Sequence, residues 1–374
     1  MEQQQGGPAR QRPSMATVRT AAAAALALLL LAGVSVLAGL AAVLVEGPPA
    51  DQLFVVDTDA GADDAFALME LLRAEELLVA DEWTRPPHRV PRLLAVTCVM
   101  GNAPVHNVTK NVLATLGAAN RLDVPVYVGA EVPLMPPPAV FTDYFGLDGF
   151  GDFLPPGPPP GEPQREHAAV ALVRLAKENP GSLTLLCIGP LTNIALAVRL
   201  DPGFLANLKD VFILGGAAHG IGNAAPGAEF NMWTDPDAAA VVLDAVPAGK
   251  PAYLLPWETV LDTEVTMKWR REVLGASNSS TMAFLNAAER VVLEGGSSTW
   301  ESGDGLMAAY LVDGRVAAPA KAVRVSVLPG AAAGKGVTLA DHSNTTGLPA
   351  NVVLVENPDT SAFQRTLLRL LASS

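Results

Sequence analysis

Cysteine is nearly absent from this sequence, which has only Cys98 and Cys187. Each lies inside an apolar run, Leu93–Val99 and Leu183–Ile188, that reads as a buried strand. Both are therefore expected to be core thiols, and neither a disulfide framework nor a zinc site can be assembled from them. Basic residues are also scarce: 25 Lys and Arg against 38 Asp and Glu give a net charge of −13. The balance is more acidic still over 51–374, because Arg10, Arg12 and Arg19 sit in the amino-terminal arm. A nucleic-acid partner is disfavoured, since phosphates are neutralised by Lys and Arg gathered on one face. A hard cation suits the chain better. Charged residues of both signs make up 17% and hydrophobic ones 50%, which excludes a disordered chain and suits a sheet buried beneath helices on both faces. A length of 374 residues is compatible with one large doubly wound α/β unit.

The chain divides by composition. A basic tail, 1–20, precedes 25 uncharged residues, Ala21–Val45, dominated by Ala, Leu and Val. That run is long enough to cross a bilayer as a helix, and longer than the apolar core of a cleaved signal peptide. It reads as a signal-anchor with the tail cytoplasmic and the remainder lumenal or extracellular; cleavage would instead leave a secreted enzyme. Sequons at Asn107, Asn278 and Asn344 are compatible with that exposure. A Gly/Pro linker, 46–51, leads into the folded part, 52–374.

There, apolar runs at Leu53–Val56, Leu93–Val99, Val126–Val128, Leu183–Ile188, Val211–Leu214 and Ala252–Leu255 alternate with helical patterns. The helices are expected near 64–79, 107–120, 167–177, 192–200 and 236–245, with an amphipathic closing helix over 359–371. Strands alternating with helices predict an open, mostly parallel, Rossmann-like sheet with helices on both faces. Proline-rich stretches at Pro133–Pro138 and Pro155–Pro163 flank Phe141–Phe153 and predict a long surface excursion of the kind that lids a site.

The chemistry concentrates where the first strand ends, at Asp57-Thr58-Asp59-Ala60-Gly61-Ala62-Asp63-Asp64. Ligands of an open parallel sheet bind beyond the carboxyl ends of its strands. Asp63 and Asp64 enter the first turn of the next helix, where its N–H groups favour anions. One or two carboxylates would suffice as a helix cap, but four in eight residues repel one another unless a cation neutralises them. All-oxygen ligation points to calcium or magnesium rather than zinc.

This segment is similar to the Asp-x-Asp-Pro-Gly-x-Asp-Asp signature of the calcium-dependent nucleoside hydrolase family, the inosine/uridine-preferring N-ribohydrolases, with Ala60 in place of the proline. Gly222-Asn223 through Glu229-Phe230-Asn231, followed by Asp235-Pro236-Asp237-Ala238-Ala239, resembles a second stretch of that family almost residue for residue. Gly101-Asn102, Cys187–Asn193 and Gly303–Tyr310 resemble three more, and the likeness spans about 53–313. It implies Ca²⁺ held by Asp59, Asp64, the Ile188 carbonyl and Asp304, with Asp59 as general base for the attacking water. It further implies ribose held by Asp63, Asn102, Asn223, Glu229, Asn231 and Asp304, with Asp57 ordering the loop. The substrate would be a small-molecule nucleoside, the membrane would be reached through the amino-terminal helix, and pairing into a homodimer or homotetramer is left open. Two family histidines are replaced, by Gly303 and by Phe145 of Phe145-Gly146, so the acid that protonates the leaving base is unassigned. His219, in the Gly215–Gly222 loop, is one candidate; Phe145, Trp233 and Trp257 are candidates to stack on a base. Alternatives are a non-catalytic nucleoside-binding homologue that retains the metal site, and a haloacid-dehalogenase-like phosphatase with Asp57 as nucleophile and Asp59 as acid.

Overall fold

A computed structural model of the chain describes residues 52–79, 91–136, 141–154, 157–330 and 333–372. The expected tail, membrane-spanning segment and linker, 1–51, lie outside the described residues. Among the described residues, no helix is long and apolar enough to cross a membrane.

Among the described residues, nine strands form one sheet: β1 (Gln52–Thr58), β2 (Pro91–Cys98), β3 (Val126–Val128), β4 (Leu183–Cys187), β5 (Asp210–Leu214), β6 (Ala252–Leu255), β7 (Ala318–Val327), β8 (Thr338–Asp341) and β9 (Val352–Glu356). Their order is β3-β2-β1-β4-β5-β6-β9-β7-β8. The seven strands from β3 to β9 run parallel, and β7 and β8 add an antiparallel edge. The expected mostly parallel sheet is therefore present, with strand limits within three residues of those read from the apolar runs. Strands β7 to β9 were not read from sequence. The first half of β7 is exposed, so no continuous apolar run marks it.

The alternation of β1 divides the core. Phe54 and Val56 face one layer with Phe66, Leu306 and Phe363, whereas Val55 faces the other with Ala168, Ile194 and Ala238. The first layer contains helices α1 (Ala62–Val79), α2 (Val105–Ala118), α6 (Gly303–Val312) and α7 (Thr360–Leu371); the second contains α3 (Ala168–Glu178), α4 (Thr192–Leu200) and α5 (Pro236–Ala245). Each fully buried Phe or Leu in these layers contributes about 1.5–3 kcal/mol. Cys98 and Cys187 are buried free thiols, as expected.

The strand order reverses at β1. The chain moves from β1 outward to β2 and β3, then returns to β4 on the other side of β1. A crevice opens where connections leave neighbouring strands in opposite directions, and this is where parallel sheets bind ligands. Asp57 spans the crevice: its Oδ2 accepts from Thr97 Oγ1 of β2 at 2.6 Å and from Asn193 Nδ2 of α4 at 2.9 Å. The excursion between β3 and α3 contains neither helix nor strand among its described residues and brings residues 142–145 over the carboxyl ends of the strands.

Candidate active site

The loop from β1 to α1 is shaped by its own polar groups. The Gly61 amide donates to Asp64 Oδ2 at 2.8 Å, and the Thr58 hydroxyl donates to Asp64 Oδ1. Asp59 Oδ2 accepts the Asn102 amide at 2.7 Å. Glycine is needed beside it, because a Cβ on Gly101 would lie 2.0 Å from Asp59 Oδ2. Ala60 has φ +32°, a left-handed conformation that a proline ring, locked near −65°, does not adopt. Replacement of the signature proline therefore alters the backbone of the loop as well as its stiffness.

Asp304, in the first turn of α6, meets this loop because α6 packs along α1. Asp63, Asp64 and Asp304 each present a carboxylate oxygen within 4.8 Å of the others. Asp59 Oδ1 and Asp304 Oδ1 are buried without a protein partner. Burial, followed by mutual repulsion, raises the pKa of Asp59 and Asp63 well above the ordinary range. The same holds for Asp304, which feels Asp63, Asp64 and Asp59. Burial pushes Asp64 to about 6 despite the hydrogen bond from Thr58. Converging carboxylates with unspent oxygens and no nitrogen or sulfur donor fit a hard divalent cation. The tight triad contains Asp63, whereas the sequence pattern assigns that ligand place to Asp59; Asp59 lies alongside, held by Asn102.

The opposite wall comes from the segment before α5. The Glu229 carboxylate caps the short helix Phe230–Thr234, accepting from Asn231 N at 2.8 Å and Met232 N at 3.2 Å, and it also accepts from Gly216 N at 2.9 Å. Burial raises its pKa to about 7. Asn223 Oδ1 accepts the Phe230 amide at 2.8 Å. The Asn231 side-chain amide reaches the Ile188 carbonyl at 3.1 Å, at the end of β4. Asp235 caps α5 through Ala238 N at 3.0 Å and also accepts from Thr192 Oγ1 at 2.7 Å; it serves the scaffold.

These walls enclose a cavity of about 400 Å³. Asp59, Asp63, Asn102, Ile188, Asn223, Glu229, Asn231 and Asp304 all line it. Asp64 lies one layer behind, reaching Asn102 Nδ2 at 3.4 Å. All the site residues read from sequence thus meet at one place, although they arise from well-separated connections of the chain. Of the aromatic candidates, Phe145 and Trp257 line the cavity and Trp233 does not; its ring lies beneath Lys335 Nζ, 4.2 Å from the centroid. His219 is not a lining residue. Its Nε2 is 2.6 Å from Glu356 Oε1, and its ring stacks on His342. Sequence reading missed Thr142, Asp143, Tyr144, Leu214 and Glu301. Adjacency to Phe145 and Asp304 was the only available signal for Asp143, Tyr144 and Glu301. At the replaced histidine position Gly303 lines the cavity, and a Cβ there would meet the Leu214 and Val260 side chains at 3.1 and 3.3 Å, a tight but not excluding contact.

Residues 54–365 match the family model described as inosine-uridine preferring nucleoside hydrolase. The chain is 37% identical over 189 residues to uridine nucleosidase 1 of Arabidopsis thaliana, which covers 50% of this chain and 52% of that protein. It is 30% identical over 315 residues to the pyrimidine-specific ribonucleoside hydrolase RihB of Escherichia coli, which covers 83% of this chain and 93% of the other. Its fold superposes on a solved plant nucleoside hydrolase with a TM-score of 0.75 at 28% identity, covering 87% of this chain and all of that one. The matches to plant uridine nucleosidases span little more than half the length of those relatives. With the signature, the cavity and the sheet in agreement, the chain belongs to the inosine-uridine preferring nucleoside hydrolase family.

Proposed function

We propose that this protein hydrolyses the N-glycosidic bond of ribonucleosides, releasing ribose and free base, with Ca²⁺ as its resident cation. One observation carries the reading: Asp59, Asp63 and Asp304 share a single cavity with Asn102, Asn223, Glu229 and Asn231. A ribose presents hydroxyl groups that both donate and accept, and amides beside carboxylates complement them.

Asp63, Asp64, Asp304 and the Ile188 carbonyl, with Asp59 alongside, would hold the cation. Bound there, it would lower the pKa of water and fix its line of approach. Asp59 takes the proton of the attacking water; its Oδ2 is anchored on the Asn102 amide, and its Oδ1 has no protein partner. Asp63 and Asp304 orient the 2′ and 3′ side of the sugar together with Asn231, while Asn223 and Glu229 address the 5′-hydroxyl. Asp63, Asp304, Glu229 and Asn231 belong to packed helix starts, so the sugar is held in place while the oxocarbenium-like charge develops at C1′. The excursion carrying Tyr144 and Phe145 forms part of the cavity wall. The apolar run at 21–45 and the arginines before it support a tethered enzyme with this domain lumenal or extracellular.

The test is release of free base from a panel of purine and pyrimidine ribonucleosides, with calcium and after chelation. Chelation should abolish release and added calcium should restore it. No release from any nucleoside in the presence of calcium would overturn the reading.

A further inference from the structure

Beyond the sugar-facing groups, the cavity wall is acidic and aromatic: Asp143, Tyr144, Phe145, Trp257 and Glu301 form it. Asp143 and Tyr144 are exposed at the mouth, and Glu301 is half-buried. Tyr144 and Phe145 meet edge to face at 4.7 Å. Among the described residues, no lysine, arginine or histidine lines the cavity. The described histidines are engaged elsewhere: His167 caps α3, and His219 pairs with Glu356 and stacks on His342. His106 lies exposed on α2.

Such a wall offers a neutral base aromatic faces but no Lys, Arg or His to protonate it. An ordinary purine or pyrimidine departs from C1′ as an anion unless a donor protonates it, and Gly303, which lines the cavity where the family has a histidine, offers none. A base that is already cationic needs no donor. It is attracted to aromatic faces, by about 0.5–2 kcal/mol per contact, and to carboxylates. We infer that this site is built for ribonucleosides whose base carries a fixed positive charge, N7-alkylated purinium or N-ribosylpyridinium, recognised by Trp257 and Tyr144 with Asp143 and Glu301 as counter-charges. The inference rests on the hydrolase reading above.

The step balances without an added acid. A water oxygen bonds to C1′, the C1′–N bond breaks, and its electron pair neutralises the cationic ring. The base leaves uncharged, and the proton from water passes to Asp59 and then to solvent.

The experiment compares three substrates on the full chain with calcium. 4-Nitrophenyl β-ribofuranoside is uncharged, and its leaving group needs no proton. 7-Methylguanosine and guanosine have nearly the same shape and differ by one fixed charge. The expected result is kcat/KM for 7-methylguanosine at least 100-fold above that for guanosine. Glu301→Gln should lower the ratio of 7-methylguanosine to nitrophenyl riboside turnover at least fivefold. Guanosine hydrolysed within tenfold of 7-methylguanosine would overturn the inference, because a proton donor must then be at work, and an unchanged ratio in Glu301→Gln would overturn the counter-charge. Failure to hydrolyse the nitrophenyl riboside would instead overturn the hydrolase reading itself.

Discussion

The side-chain amide of Asn231 donates to the main-chain carbonyl of Ile188 at 3.1 Å. The same amide reaches the Leu214 carbonyl at 3.3 Å, so one residue spans the ends of β4 and β5. A sugar-facing asparagine therefore also aims a carbonyl assigned to the cation. Asn231→Ala should weaken calcium binding by about 10–100-fold, the usual effect of removing a group that orients a ligand. Calorimetric titration of calcium into wild type and variant measures it; equal affinities would separate Ile188 from the cation.

Gly101 allows Asp59 its place. A methyl group there would lie 2.0 Å from Asp59 Oδ2, so Gly101→Ala must displace the carboxylate. Turnover should fall by about 100-fold or more, as expected for a reacting group misplaced by an ångström. Circular dichroism should still report a folded chain, which distinguishes this outcome from unfolding.

Ala60 occupies left-handed space at φ +32°, where a side chain costs about 1–2 kcal/mol. Ala60→Gly should raise stability by up to about 1 kcal/mol. Ala60→Pro, which restores the family signature, should lower it by about 1–3 kcal/mol because the ring forbids this φ. Thermal unfolding of both variants tests the sign of each change.

The acidic cluster makes stability depend on pH. Burial raises Asp57 and Glu229 to about 7 and Asp64 to about 6. A carboxyl group whose folded pKa is raised binds its proton more tightly in the native state. Its stabilisation is fully present below the unfolded pKa and is lost as pH rises through the folded value. Chelated protein should therefore lose stability progressively between about pH 4 and pH 7, since each tenfold difference in proton affinity between folded and unfolded chain is worth about 1.4 kcal/mol. Calcium binds the deprotonated carboxylates, so its stabilising effect should grow over the same interval. Unfolding temperatures across that pH series, with calcium and with chelator, provide the test.

Behind Asp63 lies a buried ion pair, Arg270 Nε to Glu289 Oε2 at 2.8 Å. The Arg270 guanidinium also lies over the Phe66 and Trp300 rings. Arg270→Met should destabilise the fold by about 3–5 kcal/mol, because Glu289 would keep a buried charge without its partner. Denaturant unfolding measures the loss.

Much of this site is legible in sequence because its residues cluster. Asp57–Asp64 and Asn223–Asn231 each bring several polar groups to one strand end, a pattern that packing alone does not demand. The ladder from β1 to β6 is legible because both faces are buried and each strand reads as an apolar run. Arg270 and Glu289 are not legible: single charges on helical segments look like solvent-facing residues until the fold buries them. Asp143, Tyr144 and Glu301 were missed for a related reason. They reach the cavity from an irregular excursion and a turn, where no periodicity indicates which side chains face inward. Asp63 and Asp59 were both found, but which of them joins Asp64 and Asp304 is set by the loop's backbone conformation, which the sequence does not display.

The central claim is tested most directly by measuring bound calcium and released ribose on the same samples of wild type and Asp59→Asn. Wild type should release ribose and base in equal amounts. Asp59→Asn should still bind calcium while releasing ribose about 10²–10⁴-fold more slowly, the range attributed to a lost general base. Wild type that binds calcium and releases nothing, or a variant that turns over at the wild-type rate, would contradict the account.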